Sequence, residues 1–212
     1  MKSMIPFFLI VGCLSTVYAQ YENGGVITGY EGYVECRSGL LIINGGGADR
    51  INITHSACLE IWSTTHFKAG EGGIWDLFVY GNSRTDYYNG ETEELTLWGN
   101  AIVKLYGGRI DFITSYQKVF DVIVGWDKQG KPIFNTHIEM FVRDYKYNPA
   151  TMRITGTWED YTTFNIKLLD QSSDPRYDPA IDNIKFTIIP EPASLILLAL
   201  GGLTVWKKRL FV

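Results

Sequence analysis

The sequence predicts an all-β fold built around a short β-solenoid, and three observations lead there. Leu77-Phe78-Val79-Tyr80-Gly81-Asn82-Ser83 returns 18 residues later as Leu95-Thr96-Leu97-Trp98-Gly99-Asn100-Ala101. Short β-branched and aromatic runs are punctuated by Gly and Asn, the pattern of strands divided by turns. No long helical periodicity lies between the two apolar ends of the chain.

The first 19 residues read as a secretory signal peptide. Lys2 precedes an apolar run from Met4 to Leu14, and Val17-Tyr18-Ala19 places small residues for a cut after Ala19. A competing reading stays open, because Ile10-Val11-Gly12-Cys13 resembles a lipoprotein box with Cys13 as the lipidated residue.

Residues 20–118 form the repeat domain. Besides the two close copies, a more distant one runs from Ile51 through Trp62, and a partial one begins at Ile113. Period-2 alternation points four columns inward: Ile51/Leu77/Leu95/Ile113, Ile53/Val79/Leu97, Leu59/Thr85/Val103 and Ile61/Tyr87/Leu105. Gly81-Asn82 and Gly99-Asn100 fall between strand pairs, where a turn needs positive φ. One copy cannot bury its own apolar side, but stacked copies share a core. The expectation is about four coils between Tyr33 and Tyr116, with a β-sandwich as the competing architecture.

The outward columns are equally regular. Glu60/Asp86/Lys104 is charged, while Tyr80/Trp98/Tyr116 and Trp62/Tyr88/Tyr106 are aromatic. Coils stack about 4.8 Å apart, so each column is a ladder. Exposed Tyr and Trp rings can stack on sugar rings, which makes these six residues candidate carbohydrate contacts. The alternative is that they hold neighbouring coils together or are covered by the second half of the chain. This register sets Leu40, not Cys36, above Cys58. Cys36 and Cys58 are nonetheless a candidate disulfide pair in an oxidising compartment, with two free thiols as the other outcome.

Beyond Tyr116 the period is lost, and residues 119–189 read as a β-rich cap or small sandwich continuing or sealing the open end of the coils, with an independent domain as the other reading. Strands are expected over Phe134–Val142, Met152–Thr157, Thr163–Leu168 and Ile184–Ile189, with turns at Gly125–Pro132 and Tyr147–Pro149.

Little chemistry is signalled. Net charge is −4, which gives no basic footprint for nucleic acid. No Cys/His spacing suits a metal, and no cofactor motif is present. Glu91, Glu93 and Glu94 read as a solvated corner, and His55, His66 and His137 stand apart from any nucleophile motif. No catalytic residue is predicted.

Residues 190–212 carry the most specific signal. Pro190-Glu191-Pro192 is followed by an apolar run, Ala193–Trp206, and then by Lys207-Lys208-Arg209. Glu between two prolines continues neither helix nor strand. The run, as a helix, spans roughly 21 Å, short of a ~30 Å hydrocarbon core, and the basic cluster suits the cytoplasmic side. This arrangement resembles the PEP-CTERM sorting signal of Gram-negative bacteria that secrete exopolysaccharide. Repeats with Gly-Gly corners, and the stretch Gly156-Thr157-Trp158-Glu159-Asp160 with Phe164, are similar to features of such proteins. The resemblance implies a C-terminal hydrophobic helix as a temporary membrane anchor. It implies recognition by exosortase, a membrane protease, near Glu191-Pro192, and delivery from the inner membrane to the cell surface or extracellular matrix. The functional expectation is a non-enzymatic exported protein associated with exopolysaccharide. The alternative is a carbohydrate-active enzyme, a lyase or hydrolase, on the same fold.

Overall fold

The computed structural model describes residues 18–67, 72–116, 125–126, 132–133, 137–169 and 180–190. The signal-peptide run, Cys13, the C-terminal apolar segment and Lys207-Lys208-Arg209 lie outside the described residues, as do Glu191 and Pro192. Among the described residues there is no α-helix and no helix long and apolar enough to cross a membrane. The fold is all-β, and fourteen strands join in one sheet.

The strands are β1 (Tyr18–Gln20), β2 (Gly24–Ile27), β3 (Tyr30–Cys36), β4 (Leu40–Ile53), β5 (Cys58–Thr64), β6 (Ile74–Val79), β7 (Arg84–Tyr87) and β8 (Glu91–Trp98). They continue as β9 (Ile102–Leu105), β10 (Arg109–Tyr116), β11 (Gly125–Trp126), β12 (Pro132–Ile133), β13 (His137–Asn148), β14 (Arg153–Trp158), β15 (Thr163–Leu168) and β16 (Ile184–Ile188). β11 and β12 pair only with each other.

Two parallel columns of strands organise the sheet. One runs β1, β3, the second half of β4, β6, β8, β10, β15. The other runs β2, the first half of β4, β5, β7, β9, β13, β16. Each strand pair thus stacks in parallel on the pair before it. β4 serves both columns because it turns at Gly45-Gly46-Gly47. Gly45 has φ 81°, and a Cβ on Gly47 would come within 2.2 Å of Gly73 O, so only glycine fits that bend.

The predicted register is the observed one. Ile51 pairs with Leu77, Leu77 with Leu95, and Leu95 with Ile113. Leu59 pairs with Thr85 and Thr85 with Val103, while Ile61, Tyr87 and Leu105 follow in line. All of these residues are buried. Leu40 pairs with Cys58, and Cys36 pairs with Ile53. Both thiols are free, so the candidate bridge is not formed; Cys36 Sγ lies 3.2 Å from Ser38 O, to which it donates.

The coils begin earlier than Tyr33, because β1 and β2 already pair with β3 and β4. Ala19, the residue before the expected cut, sits in β1 opposite Val34. Of the readings offered for the second half, the strands fit a continuation, since they lengthen both columns. β13 extends one, β15 the other, and β16 adds a further parallel strand to β13. β14 joins them through antiparallel pairing to β13 and β15, so sheet pairing wraps from one column to the other. Ser115, which replaces an apolar residue next in line after Leu97, is explained by Asn183 in the 3₁₀ turn Ala180–Asn183. Asn183 Nδ2 donates to Ser115 Oγ at 2.7 Å.

Candidate functional site

Parallel in-register strands place like residues above one another, and the aromatic columns show what that does. Trp62 and Tyr88 stack at 4.1 Å with an 18° interplanar angle. Tyr88 and Tyr106 stack at 5.0 Å and 13°. The stack continues to Phe141 on β13, 4.5 Å and 9° from Tyr106. Tyr88 and Tyr106 therefore have a ring against each face. Neither has a face left for a sugar, so these two rings bind coils together; the stacking role expected for them is corrected. Trp62 differs. A register shift between β4 and β5 pairs Ile43 with Ile61 but Asn44 with Ser63, leaving Trp62 unpaired between them. It is 48% exposed, its Nε1 donates to Glu60 Oε2 at 3.0 Å, and the face opposite Tyr88 carries no ring among the described residues.

The second aromatic column is not a stack. Tyr80 and Trp98 are 5.7 Å apart at 51°, and Phe78 meets Trp98 at 5.9 Å and 45°. Burial pushes the Tyr80 phenol up, helped by the nearby Tyr33 and Glu35. Tyr116 pairs with Trp98 through the backbone. The charged column keeps its order and lengthens, with Glu60, Asp86 and Lys104 followed by Glu139 and Lys185.

Sequence reasoning missed a polar groove at the corner after the Trp62 stack. One cavity of about 250 Å³ is lined by residues including Asn89, Glu91, Arg109 and Thr163. A second of about 390 Å³ shares Arg109 and Thr163 with it and adds Asp111, Arg153 and Asn165. Trp158, fully buried, braces the corner by donating Nε1–H to Gly108 O at 2.9 Å. Glu91 is not a merely solvated acid. Its Oε2 accepts from Phe67 N at 2.7 Å, and its Oε1 lies 2.9 Å from His66 Nδ1. Burial pushes the Glu91 carboxyl up, but the Phe67 amide, the His66 ring and the Arg109 charge outweigh it and hold the group below the usual carboxylate range. Asp111 takes Arg109 Nε and Nη2 in a fork, both at 2.9 Å. Arg109 and Asp111 are two residues apart on β10, but Glu91 meets His66, Phe67 and Arg109 from other coils, so no local motif announces that cluster; the strand pairing Arg109↔Glu91 brings the two groups together.

Among the described residues no cluster of three or more His, Cys, Asp or Glu is placed to hold a metal. Compared with known proteins, the chain matches no family model, no curated protein and no solved structure.

Proposed function

We propose that this chain is an exported, non-enzymatic β-solenoid protein, sorted by exosortase to the cell surface or extracellular polysaccharide matrix. The signal peptide and the C-terminal anchor are parts of the same proposal. One observation carries it: the tripeptide Pro190-Glu191-Pro192, apolar run and basic cluster stand in order directly after the folded body. The last strand ends at Ile188, Ile189 N donates to Val142 O at 2.8 Å, and the next residue, Pro190, is exposed. Every described strand thus precedes the tripeptide, and severing the tail leaves each of them in place. Trp62, 48% exposed and with no ring on the face opposite Tyr88 among the described residues, supports an association with polysaccharide.

The enzymatic alternative draws on Glu91 and Asp111, two carboxylates on adjoining cavities. A glycosidase acid needs a raised pKa. Glu91 is shifted the other way, and both oxygens of Asp111 are engaged by Arg109. That favours binding over acid catalysis.

Deleting residues 190–212 tests the sorting. The deleted form is expected to lose its membrane-bound intermediate and its surface delivery while the body still folds and is exported. Unchanged surface delivery without the tail would overturn the proposal.

A further inference from the structure

We infer that the corner groove is a binding site for a neutral oligosaccharide, separate from the aromatic ladders. The inference deepens the polysaccharide reading above and rests on it for the biological source of the ligand. The two cavities share Arg109 and Thr163 in their linings, so they adjoin. Each is near the lower end of the range for small-molecule sites, about 300–1,000 Å³. Two adjoining cavities suit neighbouring units of a sugar chain.

The lining decides the ligand class. Sugar hydroxyls both donate and accept, so a site for them must offer both in close alternation. Donors without a hydrogen bond to another described residue are Arg109 Nη1 and the Nδ2 groups of Asn89 and Asn165. Their other atoms are already held. Asn89 Oδ1 accepts from Gly90 N at 2.8 Å, and Asn165 Oδ1 accepts from Arg153 Nη1 at 3.0 Å. Acceptors come from Glu91 and Asp111, whose carboxylates keep lone pairs beyond the bonds they already make. The Thr163 hydroxyl, on an exposed residue, does both. These groups are fixed before any ligand arrives, which lowers the ordering cost of binding.

Charge selects against an anion. Arg109 and Arg153 are balanced by Glu91 and Asp111, and Glu91 is firmly ionised within its cluster with Phe67 and His66. A uronate or phosphate entering the groove meets two carboxylates as well as the two guanidiniums, so the four charges give it no net attraction. A neutral polyol meets the hydrogen-bonding groups together with the apolar sides of Ile110 and Phe164.

The test uses the full chain and a panel of short neutral oligosaccharides (glucans, mannans and galactans), with oligouronates alongside, read by calorimetry. At least one neutral oligosaccharide is expected to bind with Kd below about 1 mM, and uronates more weakly by about tenfold or more. Thr163→Trp fills the junction from an exposed strand position that accepts aromatic residues. Arg153→Ala removes a donor without touching the core. Each is expected to weaken binding by about tenfold or more. Circular dichroism and melting confirm that each variant is folded. Tighter binding of uronates, no binding by any neutral oligosaccharide, or full binding by folded Thr163→Trp would overturn the inference. Retention on the native exopolysaccharide that survives Thr163→Trp but is lost in Trp98→Ala would sink the groove and leave the polysaccharide reading standing. Binding of neutral oligosaccharides without retention on exopolysaccharide would do the reverse.

Discussion

Thr85 stands in the core between Leu59 and Val103, and its buried hydroxyl has no partner among the described residues. A buried unsatisfied hydroxyl costs about 1–3 kcal/mol. Thr85→Val keeps the shape and removes the polar atom, so the melting temperature is expected to rise by a few degrees, at about 2–4 °C per kcal/mol. A lower melting temperature would show that the hydroxyl is satisfied after all. The turn column is a second case. His55, Gly81 and Gly99 have φ of 54°, 76° and 70°, and they stack, since Asn82 N donates to His55 O and Asn100 N to Gly81 O. A left-handed backbone costs a non-glycine residue about 1–2 kcal/mol. Gly99→Ala should destabilise by that order, more so because its Cβ would lie 3.3 Å from Gly81 N. His55→Gly is expected to shift chemical-denaturation midpoints the opposite way, less the loss of the Thr54–His55 hydrogen bond. The two Gly-Asn turns were legible because glycine announces positive φ. His55 was not, since histidine carries no such mark. Glu91 was illegible for another reason: its partners, Phe67 and His66, lie on a preceding coil and are reached only through strand register.

Between elements, the Trp62–Tyr88–Tyr106–Phe141 stack joins β5, β7, β9 and β13. Its first three rings could be read from the repeat. Phe141 could not, because the period breaks after Tyr116 and no spacing carries the column across to β13. Stacked aromatic pairs contribute about 0.5–1.5 kcal/mol each beyond their burial. Tyr106→Ala removes two such contacts and should lower thermal stability clearly, with retention on exopolysaccharide unaltered. Trp98→Ala with Tyr80→Ala removes the tilted contacts of Trp98 with Phe78 and Tyr80, so it should lower stability as well, but it should also reduce retention. If Tyr106→Ala alone abolished retention, the assignment of roles would be reversed. β16 is held to β13 by Glu139, whose Oε1 accepts from Lys185 Nζ at 2.9 Å and Thr187 Oγ1 at 2.8 Å. The Lys185 and Thr187 bonds outweigh burial and hold the Glu139 carboxyl below its usual value of 4.5. A depressed carboxyl pKa adds stability above the unfolded value and loses it as pH falls through the folded one. Acidification below about pH 4.5 should therefore loosen β16, and Glu139→Gln should flatten that dependence. Amide exchange in β16 across that range checks it, and an equal acid response in both proteins would count against the clamp. The pair is largely solvent-accessible on the lysine side, so the effect is expected to be small.

Across the whole molecule, the repeat made the parallel register legible because a two-residue alternation and a shared core admit only one alignment. The part played by residues 137–188 was legible only coarsely. Its strands were read, with continuing the coils as one option, but their lack of internal repetition gave no means to see which column each strand joins. Closure through β14 depends on antiparallel pairing between segments that have no sequence likeness. The long-range pairing of Asn183 with Ser115 was hidden for the same reason. The folded body and the tail are separable in this account, with the body ending at Ile189 and the sorting signal beginning at Pro190. The central claim is that the tail is temporary. Intact-mass analysis of the protein recovered from cells, with and without exosortase, tests it most directly. The expected product with exosortase begins at Gln20 and ends within Pro190–Pro192, and the expected product without it retains the tail. A mass that still includes residues 193–212 when exosortase is active would contradict the account.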